Sequence, residues 1–238
     1  MQIAAGVVVT LTASAVTSSS VYAQPPQAAE SQLKEFHGVE YFWQQLEVAK
    51  RLVAAGDRSV IELLEPLLEH EDRHLRGNAA FVLAGVGDSR GLDTIAALLS
   101  DRAERPVGQG IPSGRLTSAR QIESDRYYAV HLLGELRNGR AVDVLLPLLG
   151  DPQVNYKVSW ALGKIGDPRA IPPLIAALGD ADALVRVTAI EALAELRAAE
   201  ALPKLHGLLN DHAVPRAGAR VPVSHTAQAA IATLQGLR

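Results

Sequence analysis

The chain has 238 residues, 48% of them apolar but only 4% aromatic, and a formal net charge of −3. That acidic balance, with an isoelectric point near 6.2, supplies no overall drive towards nucleic acid or anionic membrane. Cysteine is absent, which excludes disulfides, thiolate nucleophiles, thiolate metal sites and a lipoprotein anchor.

The chain opens on an apolar or small stretch, Ile3 to Val16, followed by three serines and the triplet Val21-Tyr22-Ala23. Residues 1–23 therefore read as a signal peptide cleaved after Ala23, and export to the periplasm or the exterior is expected. No Lys or Arg precedes Lys34, so the basic n-region is missing; a start upstream of Met1 would supply it. Without a functioning signal the chain is expected in the cytoplasm. The stretch is too short and too rich in Thr and Ser to span a membrane. Residues 24–39, with Pro25-Pro26 and mixed charge, read as a linker.

From residue 40 to 238 two helical patterns alternate with a period of about 30 residues, the mark of stacked helical hairpins. The first, or A, helices are predicted at Tyr41 to Ala55, Leu75 to Val86, Asp125 to Leu136, Val154 to Ile165 and Leu184 to Leu196. Their B partners are predicted at Ser59 to Glu69, Leu92 to Leu99, Ala141 to Leu149, Ala170 to Leu178 and Ala201 to Leu209. Thr226 to Leu237 adds a last A helix with no B helix after it. The B helices keep one register: Ile61, Leu92, Val142, Ile171 and Leu202 align, as do Leu64, Ile95, Leu145, Leu174 and Leu205. With Leu68, Leu99, Leu149, Leu178 and Leu209, the i, i+3, i+7 spacing puts three apolar residues on one stripe. Pro172 and Pro203 fall at helix starts, where a missing N–H costs little. Pro66 and Pro147 fall late in their helices, where a bend is expected.

The segments Ala161-Leu162-Gly163-Lys164-Ile165-Gly166-Asp167-Pro168-Arg169-Ala170, Val185-Arg186 and Ala192-Leu193 carry a resemblance. They resemble HEAT repeats of the phycobilisome-lyase (PBS lyase HEAT-like) type, over about Tyr41 to Leu237. The resemblance implies an all-α fold, a right-handed α-α superhelix of about five hairpins plus a C-terminal single helix. The family includes scaffolds, bilin-lyase subunits and metal-dependent oxygenases of the deoxyhypusine-hydroxylase kind, so function stays open. In such repeats Asp and Arg generally link neighbouring hairpins. Arg76, Arg126 and Arg186 match that Arg position, while Asn155 and Ala227 depart from it and interrupt the ladder.

His70-Glu71-Asp72-Arg73-His74 spells HExxH, which binds zinc only when both His lie on one helical face. The repeat register places it instead at a turn between hairpins, so it reads as a solvated turn. The hydroxylases of the resemblance hold two irons with His-Glu pairs on several repeats, and only His70-Glu71 is such a pair. No metal or other cofactor is expected, and His206, in a B-helix register position, reads as a core-edge histidine.

Two insertions, 102–123 and 212–223, are rich in Gly, Pro and Arg and fall at the same kind of junction. Arg105, Arg115, Arg120, Arg216 and Arg220 are candidate contacts for acidic groups there. On the outer flank of the A helices, Tyr127 and His131 align with Tyr156 and Trp160, giving a predicted two-by-two aromatic group; Phe81 holds the matching place earlier. Such rings concentrate binding energy, although the 102–123 insertion folding over them is the alternative. The reading favoured is a non-catalytic scaffold that binds another protein through Tyr127, His131, Tyr156 and Trp160. The alternatives are a metal-dependent oxygenase or a bilin-lyase-like activity. The last helix, with no B partner, reads first as an end cap; the alternative is that Ala230, Ile231 and Leu234 meet a second copy.

Overall fold

A computed structural model describes residues 27–103, 118–215 and 221–236. The A helices are α2 (Phe42–Ala55), α4 (Arg73–Gly85), α6 (Ser118–Leu136), α8 (Asn155–Ile165), α10 (Ala183–Glu195) and α12 (Val223–Gly236). They pack side by side in that order. The B helices are α3 (Val60–Leu64), α5 (Ser89–Ser100), α7 (Ala141–Leu145), α9 (Ile171–Ala177) and α11 (Leu202–Gly207). No strand occurs among the described residues. The predicted B stripe is the centre of the core: Leu64, Ile95, Leu145, Leu174 and Leu205 are fully buried, each contributing roughly 1.5–3 kcal/mol. At Pro66 and Pro147 the B helices tighten into 3-10 turns, Glu65–Glu69 and Leu146–Gly150, since a ring without an N–H cannot continue the α pattern.

The junction within each hairpin is set by one left-handed residue. Gly56, Gly87 and Gly166 have φ of 67°, 89° and 78°, and in the same register Arg137 and Arg197 adopt 50° and 54°. Glycine takes that conformation at no steric cost, whereas a side chain there is strained. The Asp after each of these three glycines accepts from the N–H two residues on: Asp57 from Ser59, Asp88 from Arg90 and Asp167 from Arg169.

Between hairpins the Arg–Asp ladder runs as the resemblance implies. Arg76 donates to Asp101 at 3.2 Å and Arg186 to Asp211 at 2.8 Å. Arg126, almost wholly buried, donates to Asp151, to the Gln153 side chain and to the Leu99 carbonyl. Asn155 leaves the next rung without an Arg. Arg73 adds a cross-link that sequence reading missed, joining Asp101 at 2.6 Å and Asp125 at 2.8 Å.

Several expectations are corrected. The segment read as a linker contains helix α1 (Gln27–Gly38), which packs on α2. Its Leu33 and Phe36 are buried, and the Phe36 carbonyl accepts from the Gln45 side chain; an apolar i, i+3 pair outweighs the mixed charge around it. HExxH is only half a turn: α4 begins at Arg73, so His70 lies outside the helix, while Arg73 and His74 are buried. His206 is exposed and not at the core edge. Phe81 belongs to the buried core, because a helical wheel gives direction and not the neighbour, and α4 is flanked by α2, α5 and α6. Ala230, Ile231 and Leu234 are buried within the chain's own fold, where α12 packs on α10 and α11, so they offer no face to a second copy. Residues 1–26, which include the expected signal peptide, lie outside the described residues.

Candidate functional site

Two A helices carry a glycine where the next A helix packs against them. A Cβ on Gly134 of α6 would lie 2.7 Å from the Trp160 ring and 3.0 Å from the Ala161 Cα. One on Gly163 of α8, in the same register, would lie 2.8 Å from the Ala192 Cα. Helices this close bring their outer-flank side chains into contact. His131 stacks on Trp160 with centroids 4.9 Å apart and planes 10° from parallel, and Tyr127 lies 6.2 Å from Tyr156. The four predicted aromatic positions are therefore one group, each half-buried. The row continues towards the N-terminus: Trp43 lies 5.0 Å from His131 and 4.9 Å from Tyr128, and Phe42 stacks on His74 at 3.8 Å.

A lysine that sequence reading missed sits among these rings. Lys157 is 7% exposed, and its Nζ lies 3.3 Å from the Trp160 ring centroid and 4.9 Å from that of Tyr127. Ring faces attract a cation through their quadrupole, but they accept no strong hydrogen bond. Burial pushes the Lys157 ammonium down to about 8, against the pull of Glu135 and with the push of Lys164. Glu135 is itself committed to Lys50, whose Nζ lies 2.9 Å away. Burial likewise pushes His131 down to about 4, with the Lys157 charge adding to it, so His131 is neutral near pH 7. The sequence did hold a signal. In the repeat register Lys157 aligns with Asn78, Tyr128 and Thr188, a row of polar residues on a flank otherwise apolar.

Two hollows flank this centre. One, of about 490 Å³, lies between α8, α10 and α12, with Trp160, Thr188, Glu191, Glu195, Thr226 and Thr233 among its walls. Burial raises the Glu191 carboxyl above its ordinary value, with Glu195 adding to the effect. The other, of about 400 Å³, is lined by Arg120, Glu123, Ser124, Tyr127, Gln153 and Tyr156. Arg120 thus lies beside the aromatic group, and it is exposed. Arg105, Arg115, Arg216 and Arg220 lie outside the described residues. Deeper in, a network joins the first three A helices: Tyr128 donates to Asn78 at 2.5 Å, and Asn78 donates to Gln45 at 2.8 Å. Its members are buried, and its work is to fix the register of α2, α4 and α6.

Fold and site together define an α-solenoid whose A-helix face carries a strip of rings around a buried cation. The HEAT repeats family matches residues 118–182, 150–221 and 171–235, and the PBS lyase HEAT-like repeat matches residues 75–101. The chain belongs to this HEAT-repeat family, with repeats of the PBS lyase type. It is 36% identical over 132 residues to the phycocyanobilin lyase subunit alpha of Synechococcus elongatus, covering 48% of each chain. It is 32% identical over 148 residues to the bilin biosynthesis protein PecE of a Nostoc species, covering 61% of this chain and 54% of that one. The chain thus spans about half the length of these curated relatives. Among solved structures it is similar to the complex of CpcE and CpcF of phycocyanin lyase from Nostoc, with a TM-score of 0.51 and 28% identity. That match covers 74% of this chain and 65% of that one.

Proposed function

We propose that the chain is a bilin-binding subunit of a lyase-like assembly, a HEAT solenoid that holds an open-chain tetrapyrrole and a protein partner on its A-helix face. The observation that carries this is the 36% identity to a phycocyanobilin lyase subunit alpha. The ring strip gives the reading its physical content. A conjugated, flat, mostly apolar molecule with acidic side arms suits stacked aromatics with cations among them. In this reading Tyr127, Tyr156 and Trp160 supply surface for the pigment, and His131, neutral and stacked, buttresses Trp160. Arg120, exposed beside the aromatic group, is the described cation that would meet acidic groups on pigment or partner. The scaffold role expected from the sequence becomes a part of this one, since holding two components together is what the face does.

The test is a titration of the purified chain with phycocyanobilin, followed by pigment absorbance and tryptophan fluorescence. A saturable one-to-one change is expected, weakened on the order of ten-fold in Trp160→Ala, as for a stacked aromatic anchor. A flat titration with folded protein would remove the pigment from the proposal and leave a HEAT scaffold for protein alone.

A further inference from the structure

Among the described residues the buried cations are satisfied by carboxylates, with one departure. Arg73 meets Asp101 and Asp125, and Arg126 meets Asp151. Lys157 is as well covered, at 7% exposed, yet it lies over the Trp160 and Tyr127 rings and forms no ion pair with another described residue. The acid that acts on it from nearby, Glu135, is held by Lys50 of α2 at 2.9 Å. A covered ammonium with no anion is an expensive arrangement in a folded protein, because desolvation is not returned by a partner. Its position says what would complete it. Tyr127 belongs to the wall of one hollow and Trp160 to the wall of the other, and the ammonium lies over both of these rings. An elongated ligand lying across these two rings would carry its mid-section past Lys157.

We propose that Lys157 is a carboxylate-binding residue, taking the acidic side arm of a flat conjugated ligand that lies along the ring strip. Resting on the bilin reading above, it names the group recognised: a propionate of the tetrapyrrole, received in a charge-assisted hydrogen bond from Nζ. The rings hold the plane of the ligand while the lysine fixes its position along the strip. Lys164 cannot take this part, since it is engaged by Glu195 at 3.1 Å.

The experiment compares an acid with its ester. Biliverdin and its dimethyl ester are titrated into the wild-type chain and into Lys157→Met and Lys157→Arg, with 1-pyrenebutyrate and its methyl ester as a second pair. Circular dichroism confirms folding of each variant, and Met suits the apolar surroundings. The wild type should prefer each acid over its ester by on the order of ten-fold, the usual weight of a charged hydrogen bond. Lys157→Met should bind acid and ester alike, and Lys157→Arg should retain the preference. An acid preference that survives in Lys157→Met, or one absent from both pairs in the wild type, overturns the role of Lys157. A preference seen with pyrenebutyrate, while neither form of biliverdin binds, keeps the carboxylate site and overturns the bilin reading instead.

Discussion

Replacing Asp151 by Asn separates the charge of a ladder rung from its other duties. Asp151 also accepts from the Gln153 N–H at 3.0 Å, and an amide oxygen keeps that acceptor. What is lost is the anion facing Arg126, whose side chain is only 1% exposed. The guanidinium would keep the Gln153 side chain at 2.8 Å and the Leu99 carbonyl at 3.0 Å, but not its counter-charge. Breaking a buried pair from one side costs about 3–5 kcal/mol. Asp151 is partly open to water and Asn retains a dipole, so the lower end, about 3 kcal/mol, applies. For a domain of this size that is a fall in Tm of roughly 6–12 °C. The control is Asp143→Asn at the exposed Arg169 pair, where water already screens the charges and little is left to lose. Thermal circular dichroism at pH 7 gives both shifts. Burial raises the Asp151 carboxyl, but the Arg126 hydrogen bond and charge bring it below its ordinary 3.8. The stability difference should therefore be complete above that value and disappear as pH falls through the lower folded-state one. Should Asp151→Asn cost no more than Asp143→Asn, the ladder is decoration and the argument from burial is wrong.

Three further outcomes rest on single contacts. Arg197→Gly relieves a left-handed residue at φ 54° and should raise stability by about 0.5–1 kcal/mol in denaturant melts, the net of released strain and lost chain stiffness; no gain would mean the Arg side chain is compensated elsewhere. Gly134→Ala places a methyl 2.7 Å from the Trp160 ring and should cost about 1–3 kcal/mol, with altered near-ultraviolet dichroism in a Trp43→Phe background, whereas Gly150→Ala meets nothing within 4 Å and should leave that spectrum unchanged. Lys157→Met should raise Tm at pH 7, since the cost of a covered ammonium is several kcal/mol and the ring contacts return only about 2. Because the folded-state value is near 8 against an ordinary 10.5, the unfolded chain binds more protons in that window and wild-type stability rises across it. The advantage of Lys157→Met should accordingly shrink from pH 8 upwards; an advantage independent of pH would place the lysine in water.

The hairpins, their order and the ladder were legible because each is a periodic statement, and a solenoid repeats its physics with its sequence. Helix α1 was not, since it precedes the repeat and its two core residues, Leu33 and Phe36, are too few to stand out among charges. The aromatic group was legible in outline but not in its centre. Rings at 127, 131, 156 and 160 announce themselves, whereas Lys157 is an ordinary residue in an extraordinary register. Only its alignment with Asn78, Tyr128 and Thr188 separates it from the many lysines that simply face water. Depth of burial is a property of neighbours, and single-helix periodicity carries none.

What joins the fold to the site is the pair of glycines at 134 and 163. They occupy one register position, and each receives the alanine of the next A helix, Ala161 and Ala192. That approach sets the His131–Trp160 stack at 4.9 Å; with helices further apart the same rings would splay into solvent. The strip is thus a consequence of how tightly the middle repeats nest, and Lys157 is covered because its ring neighbours on α6 and α8 have been drawn together. A side chain added at either glycine should weaken ligand binding by pushing the A helices and their rings apart, although neither position itself meets the ligand, whereas one added at Gly150, on a B-helix turn with open space around it, should not. Measured with the same pyrenebutyrate titration, equal affinities for the Gly134→Ala and Gly150→Ala variants would break the link between close packing and recognition.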